Sequence, residues 1–163
     1  MLDLTHIKNI REDNDLSQRE VATILNVSRS TYSLWELGIN IIPLSSLYKL
    51  SSYFDVSIDY LLGGKNKFKK HNNSFDLKRI GYNIKRYRIE NHISQDSLAN
   101  LLNVSQPCIA RYEKGLIEIS TINIYKLSKI FNISIDDLID NTKETEKIWA
   151  ISYLLKCRGP LIF

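Results

Sequence analysis

At 163 residues and a formal net charge of +4, the chain has room for one ordinary domain or two small ones. It is 44% hydrophobic and 25% charged, the composition of a folded globular protein rather than a disordered one. Its longest uncharged apolar stretch, Ile148–Leu155, is too short for a membrane span, no leader-like segment opens it, and two cysteines cannot build a disulfide framework. Those features exclude a membrane-embedded or disulfide-stapled protein and leave a cytoplasmic one as the expectation.

A shift of 77 residues aligns 7–63 with 84–140 without a gap, and 23 of the 57 positions are identical. The chain is therefore read as two copies of one small domain, 1–63 and 77–140. A Lys/Asn-rich linker, 64–76, joins them, and an unrepeated tail, 141–163, follows. Charge is uneven: −3 in the first copy, +3 in the linker, +2 in the second copy and +2 in the tail.

Each copy reads as five short helices, because apolar residues recur at helical spacing and Ser, Asn, Gly and Pro punctuate them. Helix 1 is expected from about Asp3 to Asn14, with Leu4, Ile7 and Ile10 inward. Ser17 and Glu20 form a capping box for helix 2, stapled by Leu16 and Val21, and that helix runs to Leu25. Asn26-Val27-Ser28 turns the chain. Ser28 caps helix 3, which ends near Leu37, and Gly38 supplies the left-handed residue after it. Pro43 suits the first turn of helix 4, which ends near Phe54. Ser57 caps a final short helix, and Asp59 and Asp136 are expected to favour the dipole of their own helices. The second copy repeats this order, with Pro107 in the first turn of its third helix.

Two short helices joined by a three-residue turn describe a helix-turn-helix. The pattern S-Q-x-x-V/L-A-x-x-L-N-V-S, a helix ending E-x-G, then L-Y-K-L-S and S-I-D-x-L, resembles the Cro/repressor (XRE) family of helix-turn-helix domains. The resemblance covers 3–63 and 80–140. It implies an all-α fold of two tandem five-helix, lambda-repressor-like domains, with a flexible linker and a C-terminal helix, in a bacterial or phage DNA-binding regulator.

In helix 3, Tyr32 and Trp35 must face the core, as must Ile109 and Tyr112 in the second copy. The start of this helix enters the major groove in such a motif. The exposed candidates are then Ser28, Arg29, Ser30 and Ser33 in copy one, and Ser105, Gln106, Arg111 and Lys114 in copy two. Arg29 and Gln106 either read base edges, as Arg reads guanine and Gln adenine, or contact phosphate and water. Gln18 and Gln95 open helix 2, where the resemblance implies a phosphate contact and a brace on helix 3. It also implies structural salt bridges between Arg11 and Glu36, and between Arg88 and Glu113. Thr31 and Cys108 share one position and suit tight packing.

Leu34, Leu37, Ile39 and Ile41 make copy one the poorer phosphate binder, so it reads DNA weakly or contacts protein. Copy two, with Lys78, Arg79, Lys85 and Arg86 on or near helix 1, is expected to supply most of the affinity. The lysines at 65, 67, 69 and 70 are either a solvated spacer or run along phosphates. The apolar tail segment packs on its own second domain or joins two chains in a homodimer. No active site, metal site or cofactor is expected: the three histidines are scattered and Cys108 and Cys157 lack zinc spacing. The leading reading is sequence-specific double-stranded DNA binding by a transcriptional regulator, expected to be a repressor. The competing one is a protein-binding module of antitoxin or antirepressor type.

Overall fold

The computed structural model describes residues 4–65, 67 and 74–140. The first copy contributes α1 (Thr5–Asp13), α2 (Gln18–Leu25), α3 (Arg29–Glu36), α4 (Leu44–Phe54) and α5 (Ile58–Leu61). The second contributes α6 (Leu77–Glu90), α7 (Gln95–Leu102), α8 (Gln106–Glu113), α9 (Thr121–Phe131) and α10 (Ile135–Asp140). Strands are absent among the described residues. The tail lies outside them, as do Lys69 and Lys70.

Local chemistry explains the helix ends. Ser17 Oγ accepts from Glu20 N while the Glu20 carboxylate accepts from Ser17 N at 2.8 Å, completing the capping box. Ser28 and Ser57 cap α3 and α5 by accepting from Thr31 N and Tyr60 N. Helix α8 differs: Ser105 makes no side-chain cap, and the Cys108 amide turns to the Ser105 carbonyl at 2.9 Å. Left-handed residues recur at the repeat offset, at Asp15 and His92, Asn26 and Asn103, Gly38 and Gly115, and Asp55 and Asn132. The backbone thus repeats even where side chains have diverged. Pro43 corrects one expectation: it is the N-cap of α4, its ψ of 148° still extended, and the helix begins at Leu44.

The inward faces are Ile7, Ile10, Val21, Leu25, Tyr32, Trp35 and Leu47 in the first copy, and Ile84, Leu98, Leu102, Ile109, Tyr112 and Ile124 in the second, where the counterpart of Ile10 is the half-buried Tyr87. Helix α6 extends a turn further upstream than α1 and lies against the loop after α8. A Cβ on Gly115 would stand 2.7 Å from the Leu77 carbonyl. The copies also touch each other. α5 meets α10, and at the far end of the linker the Phe75 ring lies 5.5 Å from that of Tyr48 in the first copy, tilted by 54°. The linker's near end is anchored too, because Ser57 N donates to the Lys67 carbonyl at 2.9 Å.

Candidate nucleic-acid interface

Each copy presents the start of one helix to solvent on a rigid base. In the first, α2 ends at Leu25, and Asn26 closes it in a left-handed conformation. The Val27 amide folds back to the Ala22 carbonyl at 2.9 Å, and Ser28 caps α3. Burying Tyr32 and Trp35 fixes the roll of α3 about its axis and leaves Arg29 and Ser30 exposed, with Ser33 half-buried. Gln18, Arg19, Thr23 and Arg29 line a shallow cleft between α2 and α3. That cleft holds a helix N-terminus, two guanidinium groups and small polar side chains, a set suited to an anion at a helix start.

Beneath the cleft lies a buried polar cluster. Arg11 Nε donates to Glu36 Oε1 at 2.6 Å and Arg11 Nη2 to Glu36 Oε2 at 3.2 Å. Gln18 Nε2 donates to Glu36 Oε2 at 2.8 Å, and Arg11 Nη1 to the Leu16 carbonyl at 2.9 Å. The cluster ties α1, α2 and the end of α3 together. Burial alone would raise the Glu36 carboxyl, but hydrogen bonds from Arg11 and Gln18, with the Arg11 charge, outweigh it and hold the group below its ordinary range. The hydrogen bond to Glu36 raises Arg11 against the opposing effect of burial. Burial also pushes the Tyr32 hydroxyl up.

The second copy rebuilds this cluster. Arg88 Nε donates to Glu113 Oε1 at 2.5 Å, Arg88 Nη1 to the Ile93 carbonyl at 2.9 Å, and Gln95 Nε2 to Glu113 Oε2 at 2.8 Å. It then adds a bond that the sequence did not suggest: Gln106 Nε2 donates to Gln95 Oε1 at 2.7 Å. Gln106 is half-buried and pre-oriented by Gln95, whereas Arg29 at the matching position is exposed. Ser105, Arg111 and Lys114 are exposed along the same helix.

Two cations expected to help neutralise phosphate are engaged elsewhere. Arg79 donates from Nε to the Ile139 carbonyl at 2.9 Å and from Nη2 to the Ser74 carbonyl, and sits 3.7 Å from Asp140. The Arg86 guanidinium lies over the Tyr87 ring, 4.4 Å from its centre, and 3.8 Å from Glu90. Arg79 ties α6 to the end of α10 and to the segment before α6, while these contacts of Arg86 lie within α6 itself. Lys78 and Lys85 remain exposed. Among the described residues no group of acidic, His or Cys side chains could hold a metal, and no helix is long and apolar enough to cross a membrane.

Comparison with known proteins gives this geometry a context. A family model described as helix-turn-helix matches the chain twice, over 7–61 and 84–138. An uncharacterised HTH-type transcriptional regulator of Bacillus subtilis, YqaE, is 34% identical over 64 residues, which is 39% of this chain and 55% of that protein. The HTH-type transcriptional activator BcrR of Enterococcus faecalis is 35% identical over 76 residues, 45% of this chain and 37% of that protein. The chain thus spans about half or less of these relatives. Among solved structures, the P22 c2 repressor in complex with a synthetic operator is 30% identical, covering 37% of this chain and 91% of the repressor at a TM-score of 0.35. With its helix-turn-helix matched in both halves, the chain belongs to the XRE-type helix-turn-helix family, carrying two domains in tandem.

Proposed function

We propose that the chain is a sequence-specific double-stranded DNA-binding transcriptional regulator that inserts α3 and α8 into the major groove. The supporting observation is the repeated construction: an exposed helix start, a three-residue turn before it, and a buried Arg–Glu–Gln cluster beneath it, built twice from matching positions. In this reading Arg29, Ser30 and Ser33, and Gln106, Arg111 and Lys114, face the base edges. Gln18, Gln95, Ser28 and Ser105 face the phosphates flanking them. The domains are 1–63 and 77–140, with 64–76 between them. Occupying promoter DNA makes the protein a repressor by competition with polymerase, and residues 141–163 are the segment left to join two chains.

The second copy carries more of the affinity, since Gln106 is pre-oriented and Arg111 and Lys114 follow it. A second reading rests on Leu37, Ile39 and Ile41, which are 67%, 65% and 53% exposed beside the reading head of copy one. An apolar patch of this kind suits a protein partner. Selection of duplexes from a random pool by the full chain, followed by a salt titration, separates the two. The DNA reading expects one enriched sequence and an affinity that falls steeply with salt. No enrichment and a flat salt response refute it.

A further inference from the structure

The two copies meet through an exchange of aspartates. Helices α5 and α10 each begin after a serine with Ile-Asp, at 58–59 and 135–136. The Asp136 carboxylate accepts from Ile58 N at 3.2 Å and from Asp59 N at 3.4 Å. The Asp59 carboxylate accepts from Ile135 N at 2.8 Å and from Asp136 N at 3.4 Å. Exchanging the copies, 58 for 135 and 59 for 136, turns either set of contacts into the other. A contact in which i meets j and j meets i is isologous, the mark of a twofold axis. Each carboxylate therefore satisfies amides at the start of the other copy's helix, rather than serving only its own as the sequence suggested. Asp136 is 2% exposed, so this exchange is a packed part of the fold.

Around this axis the contacts are deliberately unequal. Glu118 Oε1 accepts from Ser45 N at 2.8 Å, at the start of α4, where Pro43 provides no side-chain cap. Thr121 Oγ1 donates to the Ile42 carbonyl at 2.5 Å and is fully buried. The positions 77 residues earlier are Ile41 and Leu44, which can do neither. Two first copies facing each other would lack both bonds. Two second copies would set Glu118 against α9, which already has its own Ser120 cap. The surfaces thus fit copy one to copy two.

We propose that the copies form an intrachain twofold pair, and that their ligand is a duplex with two unlike half-sites in inverted orientation at one fixed separation, read by a single chain. The second clause rests on the DNA-binding reading above. A twofold axis that relates α5 to α10 also relates α3 to α8, so the half-sites must run in opposite directions. They differ because Arg29, Ser30 and Ser33 stand where the other head has Gln106, Pro107 and Ala110. Separation is set by the interface, since the docked pair does not use the reach of its 13-residue linker.

Two measurements on the full chain test this. Nitroxides at Lys8→Cys and Lys85→Cys, matching exposed positions on α1 and α6, are placed in a Cys108→Ser/Cys157→Ser background. Without DNA, one narrow distance is expected, broadening in Glu118→Ala and further in Asp59→Ala/Asp136→Ala at retained helix content. A broad distribution before those changes, or a chain that sediments as a dimer through this interface, overturns the pair. On the duplex selected from a random pool, one chain per duplex and inverted half-sites are expected. Insertion of about half a helical turn between them should then cost about tenfold or more in affinity. Direct repeats, or indifference to the insertion, overturn the ligand. A narrow distance with no duplex selected overturns the DNA-binding reading while leaving the intrachain pair standing.

Discussion

Glu36→Gln tests the physical basis of the reading head. The Arg11 and Glu36 side chains are 10% and 3% exposed, so both charges are largely out of water. The change keeps shape and removes the negative charge. It also places an amide N–H against donors from Arg11 or Gln18, since Glu36 accepts from both. Breaking one side of a buried pair costs about 3–5 kcal/mol. Arg11 keeps the Leu16 carbonyl at 2.9 Å and the half-exposed Glu12 carboxylate at 3.1 Å, which places the loss near the lower end, about 3 kcal/mol. For a domain of this size that lowers the melting midpoint by about 12–24 °C. Urea and thermal unfolding followed by circular dichroism measure it, and the loss should change little with salt because the pair is poorly screened. Replacing both partners, Arg11→Met with Glu36→Leu, should recover most of it. A loss within about 0.5 kcal/mol for Glu36→Gln, or no recovery in the double change, refutes the reasoning.

The same pair fixes a pH response. The folded Glu36 carboxyl lies below its ordinary value of 4.5, so its stabilisation is fully present above that value and is lost as pH falls through the folded one. The gap in urea midpoint between the native chain and Glu36→Gln should hold from neutral pH down to that value and narrow below it. Glycine replacement separates two turns of equal sequence role. Gly38 and Gly115 both have φ near +65°, at +67° and +64°, but only Gly115 would drive a Cβ into the α6 backbone, 2.7 Å from Leu77. Gly38→Ala should cost about 1–2 kcal/mol from the left-handed strain, and Gly115→Ala about 2–5 kcal/mol with overpacking added; equal losses would contradict the close approach. On DNA, Gln106→Ala and Arg111→Ala, both at base-facing positions, should each lose about 5- to 150-fold and relax preference at one base pair. Both should cost more affinity than Arg29→Ala in the same titration.

The reading heads were legible because they are built from local rules. Serine caps, left-handed turn residues and the spacing of Tyr32 and Trp35 act within a few residues, so the motif, its turn and its exposed face follow from the string itself. The repeat then doubled every signal. Glu118 carried a signal too: it replaces Ile41 of the first copy, and Pro43 replaces Ser120 of the second. Only their proximity in space reveals that one change answers the other. Arg79 was misread for a related reason. A cation on a helix looks free until the Ile139 carbonyl, 60 residues away in the chain, is seen beside it.

Taken alone, the sequence determined two all-helical copies, the serine caps of α2, α3 and α5, and the exposure of Arg29, Ser30, Arg111 and Lys114, because those depend on periodicity and short-range hydrogen bonding. The tertiary structure decided the Gln95–Gln106 bond, the engagement of Arg79, and above all the Asp59–Asp136 exchange. Each joins groups held together by the packing of separate helices, up to 78 residues apart in the chain. No local pattern records such a meeting, since the amides of Ile58 and Ile135 look the same in sequence whatever carboxylate reaches them.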